Sequence, residues 1–461
     1  MKYKRGLFLG IGLAALLGGC SVGPDYERPA TEAPETWSGA QGRDEWPSLT
    51  WWKDFHADEL DRLMTAAHDG NFDLAIAVAR LKQANAQAAI AGAPLLPQID
   101  AGLQAERLRQ PPNTPSGAKQ FSGSLSASYE LDFWGLLRDQ AEAARLTAAA
   151  SAFDRETAEL TLQSAVANSY FSLLSLNERV QLAENNLKAA EDVLDAFNAR
   201  LEVGAASALD VAQQENAVAT QRAALPPLIE QQRQARDALA VLIGINPEGV
   251  IAPAGNLRSV KLPGVASGLP SGLLQRRPDV QSAEAKLQAA NRNVKAAVAA
   301  FFPSITLTAQ GGSSSTSLSD LFKPAGVFYS LAAGASQPIF RGGALEGGQQ
   351  LAEGQYDEQV ATYRKAVVSA FADVEDALAA IEQEDRREEA DKVVVGTAQR
   401  AYDIAQAQLY NGTIDILTVL NTQRALFQAQ DELAQARLAH AQAVVGLFKA
   451  LGGGWQVVEE S

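Results

Sequence analysis

Leu95-Leu96-Pro97-Gln98-Ile99 and Phe301-Phe302-Pro303-Ser304-Ile305 are two versions of one junction, where a helical pattern gives way to a strand pattern. Before each proline lies a segment rich in Ala, Leu and Gln, about Leu60 to Ala91 and Asp279 to Ala300, and proline ends helical character. After each proline the residues alternate. Ile99, Ala101, Leu103 and Ala105 stand against Asp100, Gln104 and Glu106; Ile305, Leu307 and Ala309 stand against Ser304, Thr306, Thr308 and Gln310. A second run follows in each half, from Phe121 to Leu131 with serines at every even position from Ser122 to Ser128, and from Val327 to about Ala335. Period-two alternation over about ten residues suits a tilted transmembrane β-strand with one face to lipid and one to water. It also suits a half-buried hairpin of a soluble domain.

The repeat extends well beyond the junction. Leu201-Glu202-Val203-Gly204, followed by Leu209, matches Leu409-Tyr410-Asn411-Gly412, followed by Leu417. Pro303 lies 206 residues after Pro97, and Gly412 lies 208 after Gly204, so order and spacing repeat together. The chain is an internal duplication. Four strands cannot close a barrel, and a membrane sheet can leave no open edge, so a spanning chain must oligomerise. The stretches Arg109–Gln120 and Gly312–Gly326, rich in Pro, Gly and Ser, read as loops between paired strands.

After Trp134-Gly135 no proline occurs until well past Leu201, and some 60 helical residues would extend about 90 Å. Leu173, Val180, Leu187, Leu194 and Leu201 recur at seven-residue spacing, with Leu176, Ala183, Ala190 and Phe197 at companion positions. That is a coiled-coil seam. The second half repeats it with Val419, Leu426, Leu433 and Leu447 beside Leu420, Phe427, Ala434 and Phe448, and His440 interrupts the first stripe. Two adjacent stripes let a helix touch a neighbour on each side, as a ring of helices requires; a compact helical bundle is the competing arrangement.

At the N-terminus, Lys2, Lys4 and Arg5 precede an apolar run from Gly6 to Leu17 that ends in Leu17-Gly18-Gly19-Cys20. Basic start, short apolar core and small residues at the cut describe a signal peptide with a lipobox. Cys20, the only cysteine, is the expected lipidation site, where acyl chains such as palmitate would anchor the mature chain at roughly 0.8 kcal/mol per buried CH₂. Cleavage would remove three of 39 basic residues and none of 54 acidic ones, leaving a charge of −18, which makes nucleic acid an unsuitable partner. No later stretch has the roughly 20 consecutive apolar residues of a membrane helix. His56, His68 and His440 have no metal-ligand spacing, the glycine clusters lack a phosphate-loop pattern, and no catalytic constellation is present. The expectation is a non-enzyme without cofactors other than the lipid on Cys20.

Three motifs carry a family resemblance: Gly23-Pro24-Asp25-Tyr26-Glu27-Arg28-Pro29; Leu274-Gln275-Arg276-Arg277-Pro278-Asp279-Val280, continued by Ala283-Glu284; and Ala450-Leu451-Gly452-Gly453-Gly454-Trp455. In this order, and across nearly the whole mature chain, they resemble the outer-membrane factor, or TolC-like, family, in the lipoprotein branch of OprM- and NodT-type efflux ducts. The resemblance implies a mixed α/β membrane protein with an internal two-fold repeat. Its homotrimer would form a 12-stranded transmembrane β-barrel, four strands per chain, continued by a long periplasmic α-helical barrel with an equatorial domain. It divides the chain into a signal peptide (1–19), a lipidated N-terminal segment (20–57), a first repeat (58–243), an equatorial linker (244–277), a second repeat (278–451) and a C-terminal tail (452–461). The implied function is the exit duct of a tripartite pump in the outer membrane, served by a periplasmic adaptor and an inner-membrane pump, of resistance-nodulation-division type first and ABC type second.

By the same resemblance the periplasmic gate falls on Leu417, Thr418, Asn421 and Arg424, with Asp415 and Asp210 nearby, and the adaptor-contacting tips on Gly204, Ala205, Gly412 and Thr413. Leu417 would narrow the closed pore and Arg424 would help hold it shut. Thr418 and Asn421 occupy positions that often carry acidic rings, which removes the charge a blocking cation would bind; Asp415 and Asp210 are either substitutes or helix-terminal charges. Two other readings stay open: a structural coiled-coil lipoprotein without a channel, and a surface binding protein with a β-rich head.

Overall fold

The computed structural model describes residues 22–31, 34, 36–37, 46–107, 119–249, 253–265, 268 and 270–455. The expected signal peptide, Cys20 and the last six residues lie outside them. Its elements, in order, are α1 (Asp58–Gly70), α2 (Phe72–Gly92), β1 (Gln98–Arg107), β2 (Lys119–Leu131), α3 (Leu136–Glu202), α4 (Ala208–Leu242), α5 (Pro270–Arg276), α6 (Pro278–Ala299), β3 (Ser304–Ser315), β4 (Val327–Ser336), α7 (Ala344–Tyr410) and α8 (Ile416–Ala450), with short 3-10 turns between several of them. The duplication is literal: α3 and α7 have 67 residues each, α4 and α8 have 35. None of the described helices is long and apolar enough to cross a membrane.

The chain divides into two compact units. The first, comprising Met1–Ala30, Ala79–Phe153 and Ser282–Lys365, holds one antiparallel sheet in the order β1-β2-β3-β4. Ile99 pairs with Ala127, Tyr129 with Leu307, and Ile305 with Ala335, so odd positions share one face across all four strands. That face is apolar, yet Leu103, Tyr329 and Leu331 are each about four-fifths exposed in the single chain. The opposite face carries Ser122, Ser124, Ser126, Thr306, Thr308 and Gln310. Among the described residues, nothing pairs with the edges β1 and β4.

Three boundaries differ from the sequence reading. Gly312 to Ser315, expected in a loop, continue β3 because they pair with Phe121 to Ser124 of β2; a Cβ on Gly312 would stand 2.3 Å from the Gly123 carbonyl oxygen, so only glycine permits the approach. Lys119 and Gln120, expected in the other loop, already belong to β2. The segment expected as one helix from Leu60 to Ala91 is two, broken at Asn71, whose Oδ1 accepts from the Leu74 amide at 2.8 Å while its Nδ2 donates to the Leu242 carbonyl at 2.9 Å. A side-chain acceptor at the start of α2 takes one of the amides that a helix leaves unbonded.

The second unit comprises Thr31–Val78, Asp154–Gln281 and Ala366–Ser461. Its main core joins Trp51, Phe55, Leu60 and Met64 to Phe171, Leu173, Leu174, Leu239, Val444 and Phe448. Trp51 is fully buried, stacks on Phe448 at 4.8 Å between ring centroids, and donates from Nε1 to Gln163 at 3.3 Å. Both expected seams are present: Leu176, Ala183, Ala190 and Phe197 are buried, as are Val419, Leu426, Leu433 and Leu447. Along the other stripe of α3 burial weakens toward the C-terminal end, and Leu201 is 38% exposed. Where His440 interrupts its stripe, the ring meets Glu388 at 3.0 Å. Helix α4 runs through Pro226 and Pro227 without ending.

Candidate functional site: the paired helical turns

The two helical hairpins of the second unit end in turns of one design. Helix α3 stops at Glu202; the Gly204 amide donates to Leu201 O at 2.9 Å and the Ala205 amide to Arg200 O at 2.7 Å, with Gly204 at φ +74°. Helix α7 stops at Tyr410; the Gly412 amide donates to Leu409 O at 3.0 Å and the Thr413 amide to Gln408 O at 3.0 Å, with Gly412 at φ +69°. A left-handed residue after the last helical turn satisfies the terminal carbonyls, and glycine adopts it without a Cβ penalty.

The return helices are capped in matching ways by different residues. Ser207 opens α4: its Oγ accepts from the Asp210 amide at 3.2 Å, and Asp210 Oδ2 accepts from the Ser207 amide at 2.8 Å. Asp415 opens α8: its Oδ1 accepts from the Thr418 amide at 3.0 Å and the Thr418 hydroxyl at 2.7 Å. The hydrogen bonds from the Thr418 hydroxyl and amide hold the Asp415 carboxyl below its usual range. Both carboxylates therefore sit at helix N-termini, where the amides and the helix dipole favour negative charge.

Apolar contacts knit the turns together. Phe197, Val211, Ile416 and Leu420 form one buried cluster; Tyr402, Ala405, Val419 and Leu426 form a second. Buried amides add directional bonds: Gln214 donates to Ala190 O at 2.7 Å, and Gln423 donates to the Tyr402 hydroxyl at 3.4 Å. Sequence reasoning missed both glutamines, because an isolated Gln within a helix signals nothing by itself. Leu417, Asn421 and Arg424, spaced three and four apart, share one exposed face of α8, and Leu417 is 52% exposed. Leu417 and Arg424, with Leu420 and with Gln213, Asn216 and Thr220 of α4, line a groove of about 380 Å³. Thr418 and Asn421 are exposed as well.

Each family-like motif has a local task. In Gly23–Pro29, Lys295 donates to Asp25 at 2.8 Å and Arg28 contacts Glu284 at 2.7 Å, fastening the segment to α6. In Leu274–Val280, the Arg277 side chain is 11% exposed and meets Asp279 at 2.7 Å, Asp373 at 2.8 Å and the Ala450 carbonyl at 3.2 Å. In Ala450–Trp455, Gly452, Gly453 and Gly454 all have positive φ, and a Cβ on Gly452 would lie 2.0 Å from the Arg276 carbonyl oxygen. No group of three or more metal-binding side chains occurs among the described residues.

The family model for outer membrane efflux proteins matches twice, over residues 63–245 and 269–453, once for each repeat. The chain belongs to the outer membrane efflux protein family. Among similar proteins, the pyoverdine export outer membrane protein OpmQ of Pseudomonas aeruginosa is 43% identical over 458 residues, covering 97% of this chain and 96% of its own length. The probable efflux pump outer membrane protein TtgC of Pseudomonas putida is 36% identical, covering 96% and 94%. Among solved structures, the open state of the Neisseria gonorrhoeae MtrE outer membrane channel matches with a TM-score of 0.86 and 31% identity, over 96% of this chain and all of that one. A membrane protein from Pseudomonas aeruginosa matches with a TM-score of 0.89 and 33% identity, over 96% and 99%. This efflux protein is thus an outer-membrane protein with a periplasmic extension and the fold of the family's channels.

Proposed function

We propose that three copies of this chain close a 12-stranded barrel across the outer membrane and that the closed assembly is a passive exit duct for a tripartite pump. One observation carries the reading: a four-stranded sheet exposes a continuous apolar face and leaves both edges open. Exposed apolar surface and unpaired strand edges are costly in water, and both costs vanish when the face meets lipid and β4 of one copy pairs with β1 of the next. The polar face then lines a water-filled passage. Lipid on Cys20 would add a second attachment to the same membrane.

The periplasmic gate is proposed at the paired turns, with Leu417, Thr418, Asn421 and Arg424 facing the pore and Asp415 and Asp210 supporting it as caps. The tips at Gly204, Ala205, Gly412 and Thr413 are proposed contacts for a periplasmic adaptor, which would couple the duct to an inner-membrane pump of resistance-nodulation-division or ABC type. Energy enters through that pump; the duct supplies a path and a valve, with no chemical step and no cofactor. OpmQ exports pyoverdine by its name, and pyoverdine is the first cargo to try.

Single-channel recording of the purified oligomer in planar bilayers, with its mass measured in the same preparation, tests the proposal. A trimer with small conductance that grows in Leu417→Ala supports a gated duct. A monomer, or an oligomer that never conducts, favours the structural coiled-coil lipoprotein.

A further inference from the structure

Charges on the four strands separate by sign as well as by face. Asp100, Glu106 and Glu130 occupy even positions on the polar face; the only cations, Arg107 and Lys119, occupy odd positions on the apolar face. Those two cations are direct partners in the β1–β2 ladder, and both are exposed. Like charges directly opposite one another destabilise a strand pair. A counter-charge would relieve the pair, and the described residues of the strands place none beside it. Glu106 points to the other face by strand parity, and no ion pair joins either cation to a described residue. The adjoining copy offers none on its edge strand either, because β4 from Val327 to Ser336 contains no charged residue.

Position along the strands identifies the missing anion. Strand β1 starts just after Pro97 and β2 ends just before Trp134, next to the helices, so Arg107 and Lys119 stand at the opposite, outward end of the sheet. Between Ile99 and Arg107 the odd face is apolar, a rise of about 26 Å at roughly 3.3 Å per residue, which matches the roughly 25 Å lipid-facing band of outer-membrane barrels. The cations begin where the hydrocarbon layer ends. Their aliphatic stems can lie along Ala105 and Phe121 while the charged ends reach the headgroup level. Arginine presents a planar fork suited to phosphate oxygens, and lysine adds a point charge beside it.

We propose that Arg107 and Lys119 form a clasp for the phosphate of an anionic lipid in the outer leaflet, one clasp per copy. The inference rests on the reading that the apolar face of the sheet meets lipid. Arg107→Gln/Lys119→Gln keeps a polar, hydrogen-bonding side chain while removing both charges, and Arg107→Lys keeps the charge while removing the fork. Native mass spectrometry of the purified oligomer, titrated with phosphatidylglycerol or phosphatidylcholine, reads the retained lipid. The wild type should hold phosphatidylglycerol in preference to phosphatidylcholine; the double Gln variant should bind the anionic lipid about thirtyfold more weakly, the factor that two such charges supply, with phosphatidylcholine unchanged. Arg107→Lys should retain most of the preference.

Equal retention of phosphatidylglycerol by wild type and double variant, in an oligomer that conducts, overturns the clasp and leaves the duct intact. Displacement of the lipid by millimolar inorganic phosphate reassigns the pair to a free anion and also overturns it. A wild-type oligomer that neither conducts nor retains either lipid overturns the membrane-facing reading itself.

Discussion

Replacing Arg277 with alanine should loosen the joint between the mid-chain motif and the C-terminal glycine turn. The guanidinium is 11% exposed and makes a two-pronged contact with Asp279 at 3.0 and 2.7 Å, a third with Asp373 at 2.8 Å and a fourth with the Ala450 carbonyl at 3.2 Å. Burial alone would lower its pKa, but the bonds to Asp279 and Asp373 outweigh burial and raise it, so the group is charged throughout the working range. Breaking a fully buried ion pair costs about 3–5 kcal/mol. Here Asp279 and Asp373 are 37% and 52% exposed, so water takes over most of their solvation and the loss falls toward the bonds themselves. At about 1 kcal/mol for each of three partners, Arg277→Ala should cost about 3 kcal/mol, or about 6 °C in melting temperature for a unit of this size. Arg277→Lys retains the charge but not the fork and should lose about half as much. Circular-dichroism melting of the detergent-purified oligomer measures both. If the alanine variant melts with the wild type, the motif does not act through this joint and the reasoning fails.

Gly412→Val should destabilise the α7–α8 turn by about 1–2 kcal/mol, because φ is +69° and the space around a Cβ is empty, so the backbone alone resists; Gly412→Asn should be milder, and equal protease sensitivity of both at the turn would count against this. Although burial pushes the Glu388 carboxyl up, hydrogen bonds from His440 and Lys392 hold it below the usual 4.5. A depressed carboxylate contributes stability above its unfolded value that is lost as pH falls through the folded one. The melting difference between wild type and Glu388→Gln should therefore be present at neutral pH and vanish on acidification below about 4.5; a difference independent of pH would contradict the assignment. Cys20→Ser should remove acyl mass from the mature chain while the oligomer still forms, and a wild-type mass without acyl groups would sink the lipidation reading.

Much of the fold was legible because its signals are local and periodic. Pro97 and Pro303 mark helix-to-strand junctions, alternation marks the strands, and heptads mark the seams that bury Ala190 and Phe197. What escaped depends on partners distant in sequence. Asn71 breaks the first helical segment because its amide bonds a carbonyl 171 residues away, and neither neighbour in sequence announces that. Gly312 to Ser315 have little intrinsic strand preference; β2 supplies their pairing, at a distance that excludes any Cβ on Gly312. Pro226 and Pro227 sit inside α4, both exposed in the single chain, although proline ends helices elsewhere in this chain.

The turns hold a subtler lesson about reading duplicated sequences. Ser207 and Asp415 occupy equivalent cap positions, and Asp210 and Thr418 are equivalent three residues later, so hydroxyl and carboxylate have exchanged places between the repeats. Compared by residue type, the two pairs of cap residues look unrelated; compared by hydrogen bonds, each places one acceptor at the start of its helix and one polar partner one turn in. The exchange explains why a neutral Thr418 stands where a carboxylate might be sought: the carboxylate of that repeat is at Asp415, already bound to the Thr418 amide and hydroxyl. Removing either acid would unwind a helix start as well as alter charge, so its effect on conductance would not isolate the gate. Leu417 and Arg424 cap nothing and lie on the exposed face of α8, so in the proposed duct they are the positions at which a change in conductance would report on the proposed gate.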